Sequence, residues 1–289
     1  MHCVVCVKQV PDSSQIRVHP VTNTIMRQGV PTILNPFDAF ALEAALRVRD
    51  AFGGKVTVIT MGPATASEVL TKALSHGADE VILLTDLMFA GSDTLATAKV
   101  LAHAVRKLGE REPVDLVFCG KQSIDGDTGQ VGPGLAWRLG MQQLTYVTEI
   151  ERIDPAARTI TVARNTEQGT QIVRTRLPAL LTILETAPAI RFGSMDDAFR
   201  AAESEVPRWK ASDIDLVDAD SVGLKGSPTK VKKVFAPTPR TERARMIATE
   251  GLAARAVADA ILDRLFADQP QLLEALRTAR AERARDGAR

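Results

Sequence analysis

The chain has 289 residues, and 36 Lys and Arg against 35 Asp and Glu leave a formal net charge of +1. With 45% hydrophobic and 25% charged residues, it has the composition of a globular protein of one or two domains. A net charge near zero argues against nucleic acid or an anionic membrane as the main partner. We expect a cytoplasmic protein, because no apolar run nears the roughly 20 residues of a bilayer span, no secretory leader is evident, and three cysteines fit a reducing compartment.

The first 140 residues alternate short apolar runs with amphipathic stretches. Nearly continuous apolar runs, typical of parallel strands buried on both faces, occur at residues 3–7, 56–61, 81–84 and 114–119. The stretches between and after them predict helices over residues 37–52, 64–76, 94–108 and 128–139. This repetition predicts an α/β fold, namely a doubly wound and mostly parallel sheet with right-handed crossovers.

The rest of the pattern adds other elements. Residues 12–30 read as an inserted hairpin that turns at Pro20-Val21-Thr22-Asn23. After Leu139 the period becomes two, which predicts antiparallel strands and one further buried strand, over residues 146–153, 158–164, 170–176 and 179–184. We therefore expect an α/β nucleotide-binding domain over residues 1–200, an extended arm over 201–240 that packs on a partner subunit, and a helical segment over 241–289.

Residue types that often carry chemistry read here as structural. Cys3 and Cys6 lie three apart on a predicted strand, so their side chains should point to opposite faces and share neither a metal nor a disulfide. The four histidines, at positions 2, 19, 76 and 103, have no metal-ligand spacing. Because no nucleophile stands out beside a base, a bound cofactor would have to carry any electrons or groups.

The loops after the parallel strands form the candidate ligand site, since ligands of open α/β sheets bind outside the carboxyl ends of the strands. The longest, residues 120–133, is rich in glycine and leads into a helix, so its backbone N–H groups can face a phosphate. It matches neither the Walker pattern nor G-x-G-x-x-G in its proper place. Asp125 and Asp127 could hold a metal, but an Asp at a helix start is more often an N-cap.

Six strings in register, from the N-terminus to about residue 240, resemble the beta subunit of electron transfer flavoprotein. They are Val7-Lys8-Gln9-Val10-Pro11, Asn35-Pro36-Phe37-Asp38 with Glu43-Ala44-Ala45-Leu46-Arg47, Met61-Gly62-Pro63, Gly77-Ala78-Asp79-Glu80, Gly120-Lys121-Gln122-Ser123-Ile124-Asp125-Gly126-Asp127 and Ser227-Pro228-Thr229-Lys230-Val231. The resemblance implies an alpha subunit as partner, FAD held mostly by alpha, and an adenine nucleotide on this chain.

Carried over position by position, the resemblance implies a set of nucleotide-binding residues. The adenosine would touch Cys6, Asn35, Asp38 and Met61. The phosphates would meet Gly120, Gln122, Ser123, Asp125, Gly126, Asp127, Thr128, Gly129, Gln130 and Val131. For Asn35 and Asp38, helix capping is an alternative or additional role.

One further string resembles the electron-bifurcating branch of the family, which holds a second FAD where ordinary members hold AMP. That branch reads Gly-x-Asp-Thr-x-Ala-Thr, and this chain has Gly91-Ser92-Asp93-Thr94-Leu95-Ala96-Thr97, with Gly223-Leu224-Lys225-Gly226 as a second likeness. Asp93, Thr94 and Thr97 therefore join the expected site, where hydroxyls could donate to a diphosphate. The plainer alternative for Thr94 and Thr97 is a helix cap and a helix-face hydroxyl.

The resemblance thus implies FAD on this chain, NADH as the electron donor, and two kinds of acceptor. These are ferredoxin or flavodoxin, and an acyl-CoA dehydrogenase or quinone oxidoreductase. Met195 falls where the family presents an apolar residue to an acyl-CoA dehydrogenase, but the acidic pair Asp196 and Asp197 replaces the usual lysines and leaves the acceptor open. Two alternatives remain: a simple carrier with AMP in the site, and a stand-alone ATP-binding or ATP-hydrolysing protein.

Overall fold

A computed structural model describes residues 1–12, 17–18, 25–26, 31–185, 189–231 and 250–286. The chain divides into two compact units, Met1–Ala236 and Pro237–Arg289. Over the described ranges, no helix is both long enough and apolar enough to cross a membrane.

The larger unit contains thirteen strands within the described residues. In chain order they are β1 (His2–Cys6), β2 (Gln9–Pro11), β3 (Arg17–Val18), β4 (Ile25–Met26), β5 (Thr32–Leu34), β6 (Lys55–Met61), β7 (Glu80–Leu84), β8 (Leu116–Gly120), β9 (Gln142–Asp154), β10 (Thr159–Thr166), β11 (Gly169–Arg176), β12 (Ala179–Ile183) and β13 (Arg208–Trp209). Nine form one sheet in the order β11-β10-β9-β12-β8-β1-β6-β7-β13. From β9 to β13 all neighbours are parallel, whereas β10 is antiparallel to both of its neighbours, β9 and β11.

Helices cover both faces of this sheet, as predicted. They are α1 (Pro36–Phe52), α2 (Ser67–Ser75), α3 (Thr94–Arg111), α4 (Val131–Leu139) and α5 (Met195–Glu203). Buried side chains of α1 and α2 join one core cluster, and those of α3 and α4 join the other. Cys3 lies in the first cluster and Cys6 in the second, so the prediction that the two thiols point to opposite faces is confirmed.

Several predicted boundaries need correction. Helix α4 begins at Val131 and not at Thr128, because the loop before it contains two left-handed residues, Asp127 at φ 54° and Gly129 at φ 63°. Strand β9 begins at Gln142, before the predicted start at Tyr146, and it pairs with both β12 and β10. The alternation of the strand breaks at Tyr146, where φ is 57°, so the two-residue period did not reveal residues 142–145 as part of β9.

The hairpin predicted over residues 12–30 is present where the structure describes it. Strands β2 and β5 pair antiparallel, and β3 pairs antiparallel with β4, placing Arg17 opposite Met26. The predicted turn at residues 20–23 lies outside the described residues.

Part of the expected extended arm, residues 201–240, packs into the hydrophobic core. Helix α5 was not predicted, and strand β13 adds a parallel edge to β7. The side chains of Ile214, Leu216 and Val222 are at most 3% exposed and pack with the second core cluster. Ile214 lies in a short 3₁₀ turn over 211–214, Leu216 follows it, and Val222 follows a second turn over 219–221, which explains why no helical or strand period marks these residues. That the arm packs on an alpha subunit stays a prediction, and residues 232–249 lie outside the described part.

The smaller unit is helical where it is described. It contains α6 (Ala254–Asp268) and α7 (Pro270–Asp286), in agreement with the Ala-, Leu- and Arg-rich composition of this region.

Candidate functional site

The carboxyl ends of β1 and β8 bring two predicted site loops together. The strands are parallel neighbours, with Cys6 opposite Cys119. Beyond them, the Lys8 ammonium group pairs with the Asp125 carboxylate, with Nζ to Oδ distances of 2.7 and 2.8 Å. Partial burial would raise the pKa of Asp125, but the bonds from Lys8 outweigh this and hold it below its usual value.

Asp38 fastens the start of α1 to the ends of both strands. Its carboxylate is buried and accepts hydrogen bonds from the backbone N–H groups of Lys8, at 2.8 Å, and Gly120, at 3.1 Å. Burial raises the pKa of Asp38 to about 7, while the hydrogen bonds from Asn35, Lys8 and Gly120 act in the opposite direction. Only a glycine fits at position 120, because a Cβ there would lie 2.5 Å from Asp38 Oδ1 and 2.7 Å from the Phe37 carbonyl carbon.

Asn35 ties the same helix start to the loop after β8. Its Nδ2 donates to the Gln122 carbonyl oxygen at 2.8 Å, and its Oδ1 accepts from the Ile124 backbone N–H at 3.2 Å. Asn35 stands at the N-cap position of α1, but its side chain makes no cap hydrogen bond, and Pro36 follows at the first helical position. The expectation that the Asn35 and Asp38 side chains cap α1 is therefore wrong.

The loop itself is closed by its own polar groups. The Ser123 carbonyl oxygen accepts from the N–H groups of Gly126, at 3.3 Å, and Asp127, at 2.9 Å. Gln122 Nε2 donates to Asp127 Oδ1 at 2.9 Å. Asp125 and Asp127 were expected to cap α4, and this is also wrong, since Gln130 occupies the N-cap and neither carboxylate reaches the helix. Instead, Asp127 accepts from Gln122 within the loop, and Asp125 pairs with Lys8 beyond β1.

The backbone N–H groups just before α4 are left open. Among the described residues, those of Thr128, Gly129, Gln130 and Val131 donate to no protein acceptor, and Gln130 makes no side-chain cap. The partial positive charge of a helix start adds to these donors. Four adjacent free donors at the start of a helix form an arrangement that can bind phosphate. These four residues belong to the predicted phosphate-binding set.

The start of α3 is different, because Asp93 occupies it. Asp93 Oδ1 accepts from the N–H groups of Leu95 and Ala96 at 3.0 and 3.1 Å, so the Asp93 side chain caps α3. Asp93 Oδ2 accepts from the backbone N–H and the hydroxyl of Thr229, at 3.0 and 2.7 Å. These bonds hold the pKa of Asp93 below its usual value despite an opposing contribution from burial. The Asp93 carboxylate and the backbone N–H groups of Leu95 and Ala96 are therefore already paired within the protein.

Thr94 points from α3 toward the open loop. Its hydroxyl donates to Gln130 Oε1 at 3.0 Å, so the side chain does not turn into the core. Thr97, one turn further along the helix, is partly buried. The predicted residues of the third and fourth loops are thus brought within hydrogen-bonding reach of each other.

Cys6 and Met61 supply apolar surface at the same edge. Cys6 is 7% exposed, and Met61 is half-buried against the second core cluster. The three cysteines are free and buried. The bond with Cys6 and burial raise the pKa of Cys119, so this thiol stays protonated.

Two cavities lie away from this edge. One, of about 530 Å³, is a groove between α1 and β9 lined by Arg47, Phe52 and Ile150 among others. The other, of about 430 Å³, lies between the end of α2 and residues 191–200. No predicted site residue lines either, so the candidate site is an open edge of the sheet.

The fold and this edge define a class of protein that the comparisons identify. Residues 22–214 match the family model described as the electron transfer flavoprotein domain, which covers more than half of the chain. The chain belongs to the electron transfer flavoprotein family.

Its relatives are beta subunits and FixA proteins. The chain is 57% identical over 288 residues to protein FixA of Bradyrhizobium diazoefficiens, covering 99% of this chain and 98% of that protein. It is 58% identical over 273 residues to protein FixA of Rhizobium meliloti, covering 94% of each. It is 48% identical over 233 residues to electron transfer flavoprotein subunit beta of Clostridium acetobutylicum, covering 81% of this chain and 87% of that protein. The recognition of a beta subunit of this family from the sequence is confirmed.

Proposed function

We propose that the chain binds FAD at the carboxyl edge of its sheet and, together with an alpha subunit, divides electrons from NADH between two acceptors. One acceptor would be ferredoxin or flavodoxin, and the other a quinone oxidoreductase or acyl-CoA dehydrogenase. The single observation that carries the proposal is the row of four free N–H groups at residues 128–131, within which Gln130 accepts from the Thr94 hydroxyl of the neighbouring helix start. FAD would supply the hydride and electron chemistry, and the chain would bind and orient it.

Each part of the edge has a task in this proposal. The free N–H groups at the start of α4 would bind one phosphoryl group, and the hydroxyls of Thr94 and Thr97 would donate to a second. Cys6 and Met61 would form an apolar wall for the adenosine. Lys8 neutralises Asp125, so this carboxylate repels an approaching diphosphate less.

A surface made by Phe192 and two side chains of α5 is where an electron acceptor would dock in this proposal. Phe192, Met195 and Phe199 are 95%, 71% and 61% exposed, an unusual concentration of large apolar side chains. Arg191 anchors the preceding segment through Glu43, at 2.9 Å, and Asp50, at 2.6 Å. With acidic residues in the first turn of α5, this surface would suit a partner that has an apolar pocket and a basic rim.

A second function has one observation in its favour. The N–H groups of Leu95 and Ala96 at the start of α3 are already taken by Asp93, and the Thr94 hydroxyl is taken by Gln130. The free backbone donors are thus concentrated at one helix start, which would suffice for a single phosphate. In this alternative the site holds AMP and the subunit is a simple electron carrier.

The test is to co-express the chain with its alpha subunit, release the bound cofactors and count them. Two FAD per heterodimer supports the proposal. One FAD with one AMP supports the carrier, and a heterodimer with no nucleotide on this chain overturns both. Turnover of ATP without any flavin would instead indicate the stand-alone ATP-binding alternative.

A further inference from the structure

Asn35 is fully buried, and its side chain is engaged entirely by the protein. It donates to the Gln122 carbonyl oxygen at 2.8 Å and accepts from the Ile124 N–H at 3.2 Å. Its backbone N–H donates to the Lys8 carbonyl oxygen at 2.9 Å. This one residue therefore joins the end of β1, the start of α1 and the loop after β8.

The local sequence explains why this side chain is free to act away from its own helix. An N-cap Asn ordinarily accepts from a backbone N–H two or three residues later. In α1 the residue after the cap is Pro36, which has no N–H, and the next turn begins with Asp38 and Ala39 donating to the Asn35 carbonyl oxygen. The side-chain amide can then satisfy two partly buried backbone groups of another loop, which would be costly to leave unpaired.

The contacts of Asn35 continue toward the free N–H groups. Gln122, held through its carbonyl oxygen, reaches Asp127 with its side chain at 2.9 Å. Ser123, which lies between the two backbone groups that Asn35 holds, accepts from two N–H groups of the same turn. Residues 122–127 are thus closed on themselves and fixed to α1, and the open N–H groups of residues 128–131 follow directly.

We infer that Asn35 is a positioning residue for the phosphate-binding loop, acting through its bonds to residues 122 and 124 and not through its own contact with the nucleotide. The inference rests on the proposed function only for the identity of the ligand. The loop geometry that it concerns exists without any ligand.

The test compares Asn35→Ala and Asn35→Asp with the control Asn165→Ala, each in the full-length chain bound to its alpha subunit. Asn165 lies on β10, far along the sheet from the site, and its side chain only accepts from Thr170 at 3.5 Å. Two quantities are measured: hydrogen exchange of residues 121–127 after the nucleotide has been removed, and the dissociation rate of FAD or AMP from the loaded heterodimer.

Asn35→Ala should speed exchange of this loop about tenfold or more without nucleotide, because two partly buried hydrogen bonds are lost. The dissociation rate should rise by a similar factor. Asn35→Asp keeps the acceptor for the Ile124 N–H, and its protonated form can also donate to the Gln122 carbonyl oxygen, so its effect should be smaller than that of alanine at low pH and larger once the carboxyl ionises. This variant remains informative where the alanine variant fails to fold. The control should change neither quantity.

Two results would overturn the inference. In one, exchange of the nucleotide-free loop is the same in Asn35→Ala and wild type although dissociation is faster, which would indicate direct contact with the ligand. In the other, neither quantity changes. If the wild-type heterodimer carries no nucleotide on this chain, the proposed function fails, but the exchange comparison still decides the positioning role.

Discussion

Asp38 is buried, so its charge costs free energy that its two backbone hydrogen bonds offset only in part. The charged or titratable groups near it are Lys8, Cys6 and Cys119, with Lys121 stacked over the neighbouring Phe37 ring. Its pKa of about 7 in the folded chain lies above the value near 3.9 expected when unfolded. The folded state therefore binds this proton more tightly, and the resulting stability is fully present below about pH 4 and is lost as the pH rises through about 7.

The prediction is a difference between wild type and Asp38→Asn. As the pH falls from 8 to 5, the free energy of unfolding of wild type should rise relative to the variant, by at most about 1.4 kcal/mol per pH unit. Urea unfolding of both proteins at each pH measures this, and titration of all other groups cancels in the difference. A difference that is constant with pH would show that Asp38 does not titrate in this range.

Gly120 makes the close approach of α1 to β8 possible. Gly120→Ala should lower the free energy of unfolding by about 2 kcal/mol or more, because the new Cβ meets Asp38 Oδ1 and the Phe37 backbone. Gly126→Ala, in the same loop, is the matched control, since its Cβ would meet nothing closer than 3.6 Å. Equal stability of the two variants in urea would contradict this account.

At the residue scale, the sequence identified Asn35 and Asp38 as residues of the candidate site, but it did not predict their hydrogen-bond partners. Asn35 and Asp38 were expected as caps or adenosine contacts, because polar residues next to a helix start commonly cap it. A contact with adenosine stays a prediction, but neither side chain caps α1, and both bond to backbone groups of Lys8, Gly120, Gln122 and Ile124. No local pattern contains such bonds, which join residues up to 89 positions apart.

Asp93 links two elements, helix α3 and the segment around Thr229. Asp93→Ala should lower the free energy of unfolding by about 1–2 kcal/mol, since the α3 cap is lost, and should speed hydrogen exchange of residues 222–229. Asp93→Asn keeps the cap oxygen and should affect mainly the Thr229 contact. Glu110→Ala, at an exposed carboxylate paired with Lys107 near the other end of α3, is the control. Unchanged exchange of residues 222–229 in Asp93→Ala would contradict the link.

The segment that follows β13 contributes to the core through Ile214. Ile214→Ala should cost about 2–4 kcal/mol of unfolding free energy, as expected for a side chain that is 1% exposed. Val217→Ala, three residues later and 92% exposed, should change stability by no more than about 0.5 kcal/mol. Equally small losses of unfolding free energy in both variants would contradict the core role of Ile214 and favour the extended arm that the sequence predicts.

At the element scale, regular repetition was predictable and irregular packing was not. Strands β1, β6, β7 and β8 and helices α1 to α4 followed from apolar period and length, within a few residues. Helix α5, the two-residue strand β13 and the 3₁₀ turns after it were missed. Short elements bury too few residues to establish a period, and they depend on surfaces made by distant parts of the chain.

At the scale of the molecule, the parallel sheet explains why the site is where it is. Six neighbouring parallel pairs, from β9 across to β13, direct the ends of β1, β6, β7 and β8 to one edge. The four free N–H groups lie at that edge and in neither of the two cavities. The fold thus provides an exposed edge for the proposed binding of phosphate, and we propose that the alpha subunit helps to cover it.

Two glycines at opposite ends of α4 make it possible to test that edge separately from stability. Gly129 has φ 63° before the helix and Gly140 has φ 64° after it, so an alanine at either position brings the same backbone strain. At position 129 the new Cβ also lies 3.2 Å from the Lys121 carbonyl oxygen of the same loop, and urea unfolding of both variants measures what this contact adds to the loss of stability. Only Gly129 lies among the free N–H groups.

The most direct test is therefore the number of FAD molecules per heterodimer in wild type, Gly129→Ala and Gly140→Ala, each with the same alpha subunit. We predict two in wild type and in Gly140→Ala, and a fall toward one in Gly129→Ala, with the remaining FAD held by alpha. One FAD together with AMP in the wild-type heterodimer, or two FAD retained equally by both variants, would contradict the account.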